Sequence, residues 1–379
     1  MEMGAWIEMN YRDAPLAVAV PVIGKAEGTP SHVNPADGAE AVIRNSRSGS
    51  VLRVISPVVD DPGVIALILD ARRRGVIVKC LTSLTDARKG VVTKGWDESQ
   101  DLPAHHEAIR KLAKEGVLLR SPATTPHAKV IHADGNGAWF GSANLTRNSL
   151  RGNALEATVS IDETSLLAGL KAAFDDAWSA STFSMMHRSG AVSLRENRPP
   201  PSSAEELRRQ KWDVGNGGQL LVSYPGGAPA MAEALADAID QASEEVILAA
   251  MTLFQTDEIP FLGAALKRCL ARGVSVRAVV RPERFELKDY PDPATERLIE
   301  SGLHLLGVTG LHAKGFMIDG KFCGLQSANF NPYSLDTGCK TANLEFGIVG
   351  SVDHPVLSEW GSLIRHLADQ PTHCFAHDC

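Results

Sequence analysis

The chain has 379 residues, 38 basic against 45 acidic side chains, a formal net charge of -7 and 44% hydrophobic residues. That length is enough for two domains that each bury a core, and the acidic balance excludes an indiscriminate basic coat for nucleic acid while leaving room for a local basic groove. No apolar run approaches the roughly 18 residues that a bilayer-spanning helix needs. The stretch LAVAVPVI (16–23) contains Pro21 and follows acidic residues, so neither a signal peptide nor a transmembrane segment is expected. Cys80, Cys269, Cys323, Cys339, Cys374 and Cys379 are irregularly spaced, as expected for reduced thiols of a cytoplasmic protein.

After an irregular start, LAVAVPVIG (16–24) reads as a strand and Asp37 as the cap of a short helix over 39–45. VLRVISPVV (51–59) reads as a strand, GVIALILDARRRG (63–75) as a helix ending at Gly75, and VIVKCL (76–81) as another strand. A polar stretch over 82–103 follows, then a helix over 105–116 and a strand over 117–120. These lead into PHAKVIHADGNGAWFGSANLTRNSL (126–150). The second half repeats the order. QLLVSY (219–224), MAEALADAIDQA (231–242), VILAAMTLF (246–254), FLGAALKRCLARG (261–273), VSVRAVV (274–280), PATERLIESG (293–302) and LHLLG (303–307) precede LHAKGFMIDGKFCGLQSANFNPYSL (311–335). Alternation of strand and helix predicts the α/β class, with a mixed sheet in each half.

The predicted domains are 1–180 and 219–379. Between them, 181–218 carries Pro199, Pro200 and Pro201 among Arg188, Arg195, Arg198, Arg208, Arg209 and Lys211. This composition predicts an exposed linker, with a basic lip beside a phosphate-binding cleft as the alternative.

The two long stretches share more than order. His127, Lys129, Asp134, Ser142 and Asn144 match His312, Lys314, Asp319, Ser327 and Asn329 at identical spacing, and Ser149 and Ser334 follow each Asn at equal distance. Such a doubled set suits chemistry at a phosphodiester, which needs an attacking group, a proton donor for the leaving oxygen and a cage of positive donors. Imidazole can fill either of the first two roles near neutral pH, so two His cover both. Lys129 and Lys314 would neutralise the non-bridging oxygens, with Asn144 and Asn329 adding neutral donors. Ser142 and Ser327 are expected either to cap a helix or to donate to the same oxygens. Asp134 and Asp319 each precede a Gly and are expected to close hairpin turns outside the site.

The pattern resembles the HKD motif of the phospholipase D superfamily, H-x-K-x4-D followed by G-S-x-N, with Gln326 in place of the second Gly. The resemblance implies two tandem phospholipase D-like α-β-α sandwich domains related by a pseudo-twofold axis, and a covalent phosphohistidine resolved by water or an alcohol. It further implies attack by His127, with His312 as the acid and later the base. A Glu after each motif is implied to hold the second nitrogen of a His, here Glu156 in NALEATV and Glu345 in ANLEFGI. The usual N-x-E is intact at Asn343, whereas Ala154 occupies the matching place in the first copy, so Glu345 is the firmer expectation.

This chemistry implies no metal and no cofactor. The tail HCFAHDC offers His373, Cys374, His377 and Cys379, without a second spaced pair to complete a zinc site; a disordered or packed tail is expected there. The loops over 82–103, with Arg88, Lys89, Lys94 and Trp96, and 281–293, with Arg281, Arg284, Phe285, Lys288 and Tyr290, mix basic and aromatic residues. That mixture favours a nucleic-acid phosphodiesterase over a phospholipase D or phosphatidyltransferase acting on phospholipid headgroups. A phosphate-binding module without turnover and a metal-assisted hydrolase are the other readings. With both motifs in one chain, a dimer is not needed to complete the site.

Overall fold

The computed structural model describes residues 5–8, 35–84, 102–152, 154–188, 191–197, 209–282, 291–339 and 341–376. The predicted strand over 16–24 lies outside these residues, as do Arg88, Lys89, Lys94, Trp96, Arg284, Phe285, Lys288 and Tyr290.

The chain opens with β1 (Ala5–Glu8) and continues through α1 (Pro35–Arg44), β2 (Val51–Ile55), α2 (Pro62–Arg73), β3 (Ile77–Leu81), α3 (Leu102–Lys114) and β4 (Leu118–Ser121). β5 (Val130–Ala133), β6 (Gly137–Gly141), α4 (Arg147–Arg151), β7 (Thr158–Ile161), α5 (Thr164–Ser179), β8 (Phe183–Arg188) and β9 (Ala191–Glu196) complete the first half. The second half runs β10 (Lys211–Asp213), β11 (Gln219–Ser223), α6 (Ala230–Gln241), β12 (Glu245–Ala249), α7 (Leu262–Ala271), β13 (Ser275–Val280), α8 (Pro293–Glu300) and β14 (His304–Gly307). It ends with β15 (Gly315–Ile318), β16 (Phe322–Gln326), α9 (Pro332–Leu335), β17 (Glu345–Ser351), α10 (Ser358–Asp369) and β18 (His373–Ala376).

Both sheets are mixed, as the alternating pattern predicts. The first has the order β7-β6-β5-β2-β3-β4-β8-β9, and the second β1-β18-β14-β13-β12-β15-β16-β17-β11-β10. The six-strand block β7-β6-β5-β2-β3-β4 is repeated as β17-β16-β15-β12-β13-β14. In both blocks the strands joined through helices pair in parallel, β2 to β3 to β4 and β12 to β13 to β14. The motif strands are joined by tight turns and pair antiparallel.

Two sequence expectations need correction. α1 begins at Pro35, so Asp37 lies in its first turn instead of capping it. Residues 183–188 and 191–196 are not a free linker: β8 and β9 pair antiparallel and extend the first sheet from β4, and β10 joins the second sheet beside β11. The pair holds because apolar residues alternate; Met185 is buried, with Val192 and Leu194 packed against the same cluster. The tail is strand β18, antiparallel to β14 and β1. Its Cys374 pairs across the ladder with Leu306 and its His373 with Gly307, and no group of three potential metal ligands occurs among the described residues.

The halves share a core. A single apolar cluster takes Phe140, Phe174 and Trp178 from the first half and Leu220, Phe346 and Trp360 from the second. Helix α5 lies so close to the second half that a Cβ on Gly169 would stand 3.1 Å from Leu220 and 3.4 Å from Trp212. Each half also has its own outer cluster, on the far side of its sheet.

Candidate active site

His127 and Lys129 lie just before β5, and His312 and Lys314 just before β15. In extended chain, residues two apart face the same side, so each Lys follows its His into the same space. Both Lys side chains are fully buried, and each Nζ donates to the carbonyl of its own motif His at 2.5 Å. Asn144 and Asn329 are buried beyond the ends of β6 and β16.

The halves meet backbone to backbone at this point. Ala128 N donates to Leu344 O at 2.8 Å, and Leu344 N to Thr125 O at 2.9 Å. On the pseudo-equivalent side, Leu155 N donates to Gly310 O at 2.8 Å, while His312 N and Ala313 N donate to Leu155 O. Because Leu344 precedes Glu345 and Leu155 precedes Glu156, each Glu is delivered to the His of the other half. His127 Nδ1 is 2.8 Å from Glu345 Oε1, and His312 Nδ1 is 2.6 Å from Glu156 Oε1.

The second carboxylate oxygen is equally occupied. Ser142 Oγ donates to Glu156 Oε2 at 2.5 Å and accepts Ala157 N at 2.9 Å. Ser327 Oγ donates to Glu345 Oε2 at 2.5 Å and accepts Phe346 N at 3.0 Å. The expectation that these Ser cap helices is thus corrected: Thr146 caps α4 and Asn331 caps α9. The single hydroxyl proton of each Ser is already given to a Glu, so it is not on offer to a substrate oxygen. Glu156, like Glu345, is held between a His of the other half and a Ser of its own.

The Gln326 departure has a steric account. At Gly141 a Cβ would fall 2.2 Å from Ala157 O and 2.7 Å from Thr158 Cα. In the second copy the residue paired with Gln326 is Gly347, whereas Gly141 pairs with Thr158. A side chain has moved from one strand to its neighbour, and the turn itself is conserved: Ser142 N to Ala157 O and Ser327 N to Phe346 O are both 2.9 Å.

Asp134 and Asp319 hold turns, as expected. Asp134 accepts Arg53 at 2.6 Å, and Asp319 accepts the backbone N–H groups of Ser243, Glu244 and Glu245.

Burial pushes both imidazoles below their ordinary range, and Lys129 and Lys314 add to this while the paired Glu opposes it; His312 falls to about 4. Each His senses the Lys of the other half as well as its own, so four cationic or potentially cationic groups converge. Burial would raise the carboxyls, but the paired His, the neighbouring Lys and the Ser hydroxyl outweigh it, holding Glu345 low and Glu156 at about 2. With each carboxylate an acceptor at Nδ1, that nitrogen carries the proton in the neutral ring, and Nε2 is left for the substrate. The His side chains are 14% and 10% exposed and the Glu side chains 0%, so solvent reaches the imidazoles but not their supports.

A family model described as "Cardiolipin synthase, PLD-like domain" matches residues 41–178 and 235–360, and so covers both motifs and both Glu residues. The chain belongs to the phospholipase D superfamily. Among solved structures of that fold, a phosphatidylserine synthase from Haemophilus influenzae Rd KW20 superposes with a TM-score of 0.61 at 13% identity, over 90% of this chain and 85% of that one. A polyphosphate kinase from Porphyromonas gingivalis gives a TM-score of 0.54 at 13% identity, over 90% of this chain and 45% of that one. The phospholipase D family member Nuc from Salmonella typhimurium gives 0.31 at 22% identity, over 40% of this chain and 93% of that one. A search of curated proteins found no match. The two tandem phospholipase D-like units expected from the doubled motif are therefore the fold of this chain.

The His, Lys, Asn and Glu residues that meet at this seam are those the sequence pattern singles out. What sequence reasoning missed is the crossing of the Glu residues and the contact made by Asn343, whose Nδ2 donates to Glu345 Oε1 at 3.3 Å. The N-x-E spacing was the available signal for Asn343; nothing in the spacing tells which His a Glu will face.

Proposed function

We propose that the protein is a phosphodiester-cleaving enzyme that works through a covalent phosphohistidine and takes polynucleotides as its substrate. One observation carries the chemistry: two crossed Glu–His pairs with two buried Lys at the seam between the halves. In the first step His127 Nε2 attacks phosphorus, the bond from phosphorus to the leaving oxygen breaks, and His312 Nε2 gives that oxygen its proton. In the second, water loses a proton to His312 and attacks phosphorus; the P–N bond breaks, and His127 returns as a neutral imidazole that keeps its Nδ1 proton, hydrogen-bonded to Glu345. Lys129, Lys314, Asn144 and Asn329 stabilise the charge on the non-bridging oxygens.

The rim supports a polynucleotide more than a bilayer. Tyr333 is exposed on α9, directly after the second motif, and Arg281 follows β13 at the sheet end that bears the motifs; an aromatic with a cation suits a base and its phosphate. The other large exposed apolar residues among those described are Ile77, Leu118 and Phe261. Ile77 and Leu118 begin parallel strands, at the end of the sheet away from the motifs, and Phe261, which precedes α7 at the motif end, is a single side chain, so the described exposed residues form no continuous apolar rim. No helix among the described residues is long and apolar enough to cross a membrane.

A second reading is phosphatidyl transfer, with an alcohol in place of water. It is favoured by the cardiolipin synthase description of the family model and by the phosphatidylserine synthase of similar fold. The deciding experiment offers single- and double-stranded DNA, RNA and phosphatidylglycerol vesicles to the purified protein in excess EDTA. Cleaved polynucleotide is expected, lost on the order of 10⁴-fold in His127→Ala; new phospholipid or released headgroup would establish transfer instead. Binding with no turnover of either would sink the enzymatic reading.

A further inference from the structure

The two Glu–His pairs differ in one respect. Glu345 Oε1 accepts both His127 Nδ1 at 2.8 Å and Asn343 Nδ2 at 3.3 Å. Glu156 Oε1 accepts His312 Nδ1 at 2.6 Å, and the position matching Asn343 is Ala154, which has no side-chain donor. Everything else around the two carboxylates is duplicated, including the Ser on the far oxygen.

Resting on the phosphohistidine reading and the His roles proposed above, we infer that Asn343 is a positioning residue that breaks the pseudo-symmetry, dimming Glu345 as a partner for His127. A carboxylate that already accepts a second donor is a weaker base and gives less support to a positive ring. His127 then stays neutral, as a nucleophile must, at pH values where His312, on its undivided and shorter bond, still holds the proton that the leaving oxygen requires. The other charged groups facing both rings, Lys129 and Lys314, act on both and do not create the difference. The same dimming makes phosphorylated His127 a better leaving group, because its ring carries positive charge that Glu345 neutralises less completely.

The backbone at Asn343 is secured separately, with its N–H donating to Tyr333 O at 2.8 Å, so Asn343→Ala removes the side-chain donor and leaves that tether. NMR titration of selectively labelled His reports each ring whether or not the protein turns over. His127 is expected to titrate below His312 in the natural chain. Asn343→Ala should raise His127 by roughly half a unit, and Ala154→Asn should lower His312 comparably. His127 titrating at or above His312, or failing to move in Asn343→Ala, would overturn the inference. In active protein, the acid limb of kcat/KM should rise in Asn343→Ala, and the alkaline limb should fall in Ala154→Asn. Loss of activity with both limbs fixed would mark Asn343 as merely structural. A natural chain without turnover would count against the phosphohistidine reading, while the ring titrations would still decide the role of Asn343.

Discussion

Charging either imidazole is costly in the free protein, because burial and two lysines oppose it and a single carboxylate favours it. The sign of the resulting pH dependence follows directly. The nucleophile gains activity as pH rises through its own pKa, and the acid loses activity as pH rises through its own; both are displaced below the ordinary imidazole value of 6.5, so the whole bell moves toward acid. The kcat/KM profile on a dinucleotide phosphodiester should therefore peak below pH 6.5, and a maximum at pH 7.5 or above would contradict the balance of charges described. Glu156→Gln and Glu345→Gln should each cost roughly 10²–10⁴-fold in kcat/KM, since an amide neither stabilises a charged ring nor enforces the Nδ1 proton. Near-full activity in either would show that its pair is dispensable. Spacing made the candidate site residues readable, whereas the identity of each His's partner depends on which backbone segments pair between halves.

At the scale of elements, the turns that carry the motifs are tied to the sheet by their Asp. Asp319 sits at φ +49 and accepts Ser243 N at 3.0 Å, Glu244 N at 2.8 Å, Glu245 N at 2.9 Å and Ser243 Oγ at 2.9 Å. Burial alone would raise its carboxyl, but these donors depress it from 3.8 to about 2. The associated stability is complete above pH 3.8 and is lost as pH falls toward 2. Discounted for solvent around the turn, Asp319→Ala should cost about 1–2 kcal/mol in urea unfolding at pH 7, and less of that difference should remain at pH 2.5. Asp319→Asn should cost less, because Asn tolerates the left-handed backbone; equal costs would assign the effect to charge alone. Elements carrying helical periodicity, such as α2 and α7, were readable because their buried faces recur in sequence. The β8–β9 pair was not, since its alternation at Phe183, Met185, Val192 and Leu194 is short and embedded among Arg residues near three prolines. Its burial comes from β4 and the outer cluster of the first half, which are distant in sequence.

For the whole molecule, the seam is both core and candidate active site. Phe174 of α5 is fully buried in the cluster shared by both halves, so Phe174→Ala should cost about 3–5 kcal/mol and lower activity along with stability. Each Glu–His pair takes its His from one half and its Glu from the other, so the candidate site needs both halves of the chain. The same crossing is a hazard, because two chains could exchange halves and build the same pairs between molecules. Co-refolding His127→Ala with His312→Ala chains separates these cases. If the seam closes within one chain, each molecule lacks one imidazole of its only site and the mixture stays as inactive as either variant alone. If the halves exchange, mixed dimers contain one site with both imidazoles intact, and about a quarter of all sites should recover for random pairing. The continuous shared cluster, with α5 packed at van der Waals distance on Trp212 and Leu220, favours closure within the chain. Recovered activity in the mixture would show that the seam opens and re-forms between molecules during folding.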